Sequence, residues 1–159
     1  MDEEVGLAAS IRIVNPQSMK KEDFVSGGTA TGEMLDFLSE CIRYGISVCV
    51  AGATSSGKTT VAGWLLTTIP DRKRIFSIEN GSRELDLVRE YDGRVVNSVV
   101  HTLTRDSEND RQRIDQIALL DIALRFNPDI LVVGEMRGAE ANAAQEAART
   151  GVAVVNTIH

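Results

Sequence analysis

Nine residues, 52-GATSSGKTT-60, constrain this chain more than any others. From Gly52 to Thr59 they fit the pattern G-x-x-x-x-G-K-[ST] residue for residue. Such a loop works as an anion cradle only between a strand and a helix. Its inward-turned amides and the positive end of the helix then converge on one point. Both neighbours suit that setting. The run 46-ISVCV-50 is apolar and of strand length, and 60-TVAGWLLTTI-69 places apolar residues as a helix allows. The competing reading is a chance match in a glycine-rich turn, and the flanking strand and helix argue against it.

In a phosphate cradle each residue type has a reason. Gly52 and Gly57 permit a tight turn and close backbone approach. Lys58 sets its charge against β and γ phosphates, and Thr59 directs its hydroxyl to Mg²⁺. The candidate nucleotide-binding set is therefore Gly52, Ala53, Thr54, Ser55, Ser56, Gly57, Lys58, Thr59 and Thr60. For Thr60, packing or capping at a helix start is the competing reading. Lys58 is expected to be exposed when the loop is empty.

The rest of the chain alternates strands and helices. The segment 7–16 reads as a short strand ended by Pro16, and 18–32 as turn-rich, a linker or the edge of a preceding domain. Leu35, Leu38 and Ile42 predict a helix over 33–45 with Gly45 as its stop. Strands are expected at 46–51, 74–80, 130–134 and 152–157, and helices at 58–68 and 139–150. A hairpin around Asp92-Gly93 is expected within 85–101. Ser107 to Asp110 has capping-box spacing and is expected to start a helix carrying Ile114, Ile117, Ala118 and Ile122, which Pro128 ends. The fold class is α/β, a sheet with helices on both faces. Residues 1–32 read as the end of an N-terminal domain with its linker, and 33–159 as the domain built on the loop.

Composition narrows the function classes. With 43% apolar residues the 159-residue chain can bury a core. No stretch reaches the apolar length of a membrane span, and MDEEVGLAAS lacks the basic start of a secretory signal. Seventeen basic against 23 acidic residues give a net charge of −6, which argues against an extended nucleic-acid surface, so no direct nucleic-acid binding is expected. Cys41 and Cys49, the only cysteines, fit a reducing compartment, with Cys49 expected to be a buried thiol on its strand. They give a Cys–His metal cluster little support.

The loop leaves the reaction open, because kinases, GTPases and ATPases all use it. Acidic residues narrow it. Open sheets bind ligands beyond the carboxyl ends of their strands. Glu135 falls just past such an end in 128-PDILVVGEMRG-138, where it can reach Mg²⁺ or an attacking water. Its competing reading is a solvent-facing turn residue. Asp129 precedes that strand, at the wrong end, and reads as structural. Glu79 ends another strand, with Asn80, Arg83 and Glu84 close behind. No Asn-Lys-x-Asp element occurs, which disfavours GTP. His101 reads as an ordinary strand residue.

Four blocks in order, 52-GATSSGKTT-60, 78-IENGSREL-85, 124-LRFNPDILVVGEMRGAEA-141 and 151-GVAVVNTIH-159, carry a resemblance. The chain resembles the ATPase domain of the motors of type II secretion, type IV pilus and type IV secretion systems, closest to the tight-adherence (Flp) pilus branch. The resemblance runs from about residue 7 to the end. It implies a P-loop NTPase of RecA-like, mostly parallel sheet flanked by helices, with ATP and Mg²⁺ as ligands. Thr59 and Glu135 would serve the metal. Glu135 would be the Walker B acid that positions water. Glu79 and Glu84 match the two glutamates of the family's aspartate box, and Glu84 would help organise catalysis. Arg105 and Arg113 resemble arginines that approach phosphates, including those bound by a neighbour. Ordinary surface arginines are the alternative. His159 matches a histidine that senses nucleotide near the γ phosphate, and Arg137 would structure the Walker B loop. The implied assembly is a homo-hexamer at the cytoplasmic face of the membrane, working with inner-membrane platform proteins.

Departures from the family pattern keep other readings open. The family usually has Glu-Asp where this chain has Glu79-Asn80, and the step from Glu79 to Glu84 is one residue longer than the common pattern. The histidine box opens Gly151-Val152 instead of glycine-histidine. The chain stops at His159, so a fragment with doubtful activity of its own is expected. A nucleotide-binding regulatory module with little turnover and a small-molecule P-loop kinase remain the alternatives.

Overall fold

The structure, a computed structural model, describes residues 19–159 apart from Asp110, Arg137, Ala139 and His159. In chain order the elements are α1 (Lys21–Ser26), α2 (Gly32–Arg43), β1 (Val48–Ala51), α3 (Lys58–Thr67), β2 (Arg74–Glu79), β3 (Glu90–Tyr91), β4 (Arg94–Val95), β5 (Ser98–Leu103), α4 (Gln116–Arg125), β6 (Ile130–Met136), α5 (Glu140–Arg149) and β7 (Ala153–Ile158). Five strands form one parallel sheet in the order β1-β7-β6-β2-β5, and β3 pairs with β4 in a separate antiparallel ribbon.

Hydrophobic pattern explains strand position. The central strands β2, β6 and β7 read RIFSIE, ILVVGEM and AVVNTI, near-continuous runs suited to burial on both faces. The edge strands β1 and β5 alternate or lie half-buried. Side chains alternate between faces with period two. Ile130 and Val132 therefore join Phe24, Leu35, Ile42, Trp64 and Leu65 under α1, α2 and α3. Leu131 and Val133 join Phe76, Ile78, Leu120, Ala123, Ala144 and Ala147 under α4 and α5. Helices thus cover both faces, as the α/β reading expects.

Several local expectations change. Within 18–32, α1 forms, and its Phe24 packs on Trp64 with ring centroids 5.7 Å apart. The hairpin at Asp92-Gly93 is real, both residues having positive φ (51° and 69°), but it joins only β3 and β4. Residues 98–103 instead enter the main sheet beside β2. Ser107 does not start a helix. Its hydroxyl accepts from the Asn109 amide in a local turn. Helix α4 begins at Gln116, capped by Asp115, whose carboxylate accepts from the Ala118 amide. Ile114 pairs with Arg105 in an isolated antiparallel bridge instead of joining the helix. Cys49 is exposed, not buried, because β1 is an edge strand. The strand expected at 7–16 lies outside the described residues. Among the described residues, no helix is long and apolar enough to cross a membrane.

Candidate functional site

At the carboxyl ends of β1, β2, β6 and β7 lies a cavity of about 330 Å³. One wall is the loop between β1 and α3. Gly57 caps α3 at φ 89°, ψ 13°, a left-handed conformation that glycine adopts without the steric cost of a Cβ. Ser55 is also left-handed, at φ 61°. The loop thereby delivers the first turn of α3, with its unpaired amides, to the cavity. Thr54, Ser55, Lys58 and Thr59 line it. Lys58 is half-buried and not exposed as expected, because its ammonium donates to the carbonyls of Gly52 and Ala53, each at 2.9 Å. Gly52, Ala53, Ser56 and Gly57 shape the turn. Thr60 is exposed on α3 and lies outside the lining.

The opposite wall is acidic. Glu79, at the end of β2, is only 3% exposed. One carboxylate oxygen accepts from the Ser77 hydroxyl at 3.1 Å. The other accepts from the amides of Glu84 and Leu85 at 2.6 and 2.9 Å. His101 Nδ1 stands 3.6 Å away. Burial pushes the Glu79 carboxyl up. The nearby His101 ring and the hydrogen bonds from the two amides and Ser77 outweigh it and hold the group below its ordinary value of 4.5. Glu79 therefore stays ionised and clamps residues 84–85. That clamp holds the backbone of Glu84, which lines the cavity.

Glu135 also lines the cavity, but it lies within β6 and not past its end. Its backbone carbonyl accepts from Gln116 Nε2 at 2.8 Å, and the same nitrogen donates to Asn80 Oδ1 at 2.9 Å. On the other side, the Thr157 hydroxyl donates to the Gly134 carbonyl. Asn156 and Thr157 of β7 complete the lining. Sequence reasoning missed Gln116, Asn156 and Thr157. For the last two the available signal was the block before His159. For Gln116 it was the Asp115-Gln116 step into a helix.

Asp129 sits at the opposite end of β6, as expected, accepting from the Arg74 amide at 2.8 Å and Lys73 Nζ at 3.1 Å. Desolvation raises its carboxyl, but these hydrogen bonds and the nearby cations prevail and lower it below 3.8. Arg105 and Arg113 are exposed on the segment between β5 and α4, outside the cavity lining, and Arg105 Nε donates to the Gln112 carbonyl at 2.7 Å. His159 and Arg137 lie outside the described residues.

The cavity suits a nucleotide's phosphates with Mg²⁺. Among the described residues, no group of three or more His, Cys, Asp or Glu could hold a metal unaided. Magnesium on phosphates needs only one or two protein oxygens, the rest coming from phosphate and water. Thr59 and Glu135, bordering one cavity, are a donor set of that kind.

Comparison with known proteins points to one family. The family model "Type II/IV secretion system protein" matches residues 3–159. An uncharacterized protein of Methanocaldococcus jannaschii is 36% identical over 137 residues, covering 86% of this chain and 48% of its own length. The type IV secretion system protein PtlH of Bordetella pertussis is 36% identical over 107 residues, 67% of this chain and 30% of its own. The chain thus spans less than half of these relatives. Among solved structures, the VirB11 ATPase of the Brucella suis type IV secretion system, in complex with sulphate, superposes with a TM-score of 0.61. It is 25% identical and covers 91% of this chain and 40% of its own. The pilus retraction motor PilT with bound ADP gives 0.60 at 29% identity, covering 82% and 35%.

Proposed function

This chain belongs to the Type II/IV secretion system protein family, and on that premise we propose that it forms the ATP-hydrolysing core of a motor for secretion, pilus assembly or conjugative transfer. One observation carries the reading. The phosphate loop and three acidic residues from other segments, Glu79, Glu84 and Glu135, border a single cavity at the strand ends. The sulphate and ADP held by the two solved relatives support phosphate and nucleotide as the ligand.

In this reading the phosphates of ATP occupy the loop, and Lys58 releases the carbonyls of Gly52 and Ala53 to meet the β and γ groups. Glu135 orients water for in-line attack on the γ phosphorus, and Glu84 assists it from the same acidic wall. Glu79 acts through the backbone it clamps. Thr59 and Glu135 would hold Mg²⁺, which neutralises charge developing on the phosphoryl oxygens. Arg105 and Arg113, outside their own chain's cavity, reach phosphates bound by a neighbour in a homo-hexamer, and His159 senses the γ phosphate. The ring works at the cytoplasmic face of the membrane against platform proteins.

The test is phosphate release from Mg-ATP by the intact protein with no added acceptor, beside sedimentation with a non-hydrolysable analogue. Release by an analogue-stabilised hexamer is expected. A protein that binds ATP without release supports the regulatory module instead, which Asn80 in place of an acid favours. Release only with an added acceptor makes it a kinase.

A further inference from the structure

We propose that Gln116 is a positioning residue that sets the backbone of Glu135 for ATP hydrolysis. This inference rests on the ATPase reading above. The parallel ladder between β2 and β6 runs from Ile75 opposite Ile130 to Ile78 opposite Val133. Continued two residues further, the same offset would pair Asn80 with Glu135. The described ladder ends before that pair. On its other side β6 is irregular against β7 between Val133 and Met136. Glu135 thus lies beyond the last pair of the β2 ladder and inside the irregular step of β6 against β7, between the paired Val133 and Met136.

Gln116 takes over there. It is the first residue of α4 and only 8% exposed. Its Nε2 spans the gap, donating to Asn80 Oδ1 at 2.9 Å and to the Glu135 carbonyl at 2.8 Å. A side-chain amide nitrogen has two hydrogens, and both are used. The orientation is forced, because the Glu135 carbonyl can only accept. Asn80 is held in turn by Thr104, whose hydroxyl lies 3.3 Å from Asn80 Oδ1 and accepts from the Gly81 amide at 3.2 Å. One amide therefore joins the ends of two neighbouring strands at the residue whose carboxylate meets the water. It also ties both to the 105–114 segment, since the Arg105–Ile114 bridge lies two residues before Gln116.

The experiment compares the intact wild-type protein with Gln116→Leu and Gln116→Asn, measuring Mg-ATP affinity, steady-state phosphate release and a far-UV spectrum. Leucine keeps bulk and removes both donors. It is expected to leave affinity within about twofold while turnover falls about tenfold, on the scale of a small misplacement at the reacting centre. Asparagine keeps a polar amide but is one methylene shorter, so it cannot span Asn80 Oδ1 and the Glu135 carbonyl together. Gln116→Asn should therefore also lose turnover while keeping affinity within about twofold. Wild-type turnover in folded Gln116→Leu, or affinity falling in step with turnover, overturns the proposal. If the leucine variant fails to fold, wild-type turnover in folded Gln116→Asn overturns it. Intact wild-type protein that releases no phosphate overturns the ATPase reading and this inference together, whereas active wild type with unaffected variants overturns this inference alone.

Discussion

The two walls of the cavity are held in different ways. On the loop wall Ala53, Thr54, Ser55 and Ser56 are exposed, and the turn relies on left-handed backbone at Ser55 and Gly57. Lys58 spends its hydrogen bonds on its own loop. On the acid wall Ser77, Glu79 and Gln116 are buried, and Glu79 and Gln116 grip backbone of neighbouring segments. The acid wall is therefore set before a ligand arrives, whereas the loop wall must exchange contacts to admit one. Preorganised groups suit the chemical step and exchangeable ones suit binding. Mutations on the acid wall should then act on turnover or stability, and mutations on the loop wall on affinity.

The largest expected effect is at Glu135. Glu135→Gln keeps size and hydrogen bonding but removes the charge that orients water. In the intact protein, hydrolysis should fall by about 10²-fold or more while ATP binding survives, the scale for losing positioned acid–base help. Phosphate release at saturating ATP measures it. Unaltered turnover would move the role to Glu84 or Glu79 and remove the division between the walls.

Lys58→Ala should act the other way. The ammonium gives up two carbonyl partners to reach the phosphates, so part of its contribution is offset. A charged hydrogen bond of about 1.5–3 kcal/mol corresponds to a loss of roughly 10–100-fold in Mg-ATP affinity. Calorimetric titration reads it, with a far-UV spectrum expected to match wild type. Unchanged affinity in the folded variant would end the phosphate-cradle reading.

Glu79→Gln sharpens the comparison further. An amide can keep its oxygen on the Glu84 and Leu85 amides and turn its NH₂ to the Ser77 hydroxyl, which can accept, so what is lost is the charge in these hydrogen bonds. A destabilisation of about 1–3 kcal/mol is expected for that loss. Turnover should fall less than for Glu135→Gln, since Glu79 acts through the backbone of residues 84–85. Chemical denaturation beside the phosphate assay separates the two roles. A drop in turnover as large as that of Glu135→Gln, at unchanged stability, would make Glu79 a direct participant.

Much of this division was legible in the sequence. The loop wall is local. Gly52 to Thr59 carry their conformation and chemistry in eight consecutive residues, and the strand and helix beside them follow from pattern alone. The apolar runs of β2, β6 and β7 similarly declare central strands. The acid wall is assembled from distant segments, and there the sequence is mute. Nothing in the spacing shows that Glu79 folds back onto the amides of residues 84 and 85, or that Gln116 crosses to Asn80 and Glu135. The helix expected after Ser107 failed for a related reason. A capping box is a local pattern, and the Arg105–Ile114 bridge overrode it with a pairing nine residues apart. Cys49 misled because strand periodicity does not reveal which strand lies at the edge.

The smallest effect concerns pH. The Glu79 and Asp129 carboxyls both titrate below their ordinary values of 4.5 and 3.8, because hydrogen bonds outweigh the cost of desolvation. A carboxyl whose folded pKa is depressed contributes stability that is complete above its unfolded value and lost as pH falls through its folded one. Both contributions should thus be intact at neutral pH and decline only below about pH 4.5. Asp129 is the weaker of the two, since its side chain and that of Lys73 are 37% and 32% exposed and water screens the pair. The two variants separate the ends of the sheet. Glu79→Gln should flatten the acid limb of the melting-temperature profile more than Asp129→Asn does. If Asp129→Asn flattened it equally, the buried clamp would hold no advantage over a half-exposed ion pair. Acid sensitivity would then belong to the sheet as a whole, not to the acid wall of the cavity.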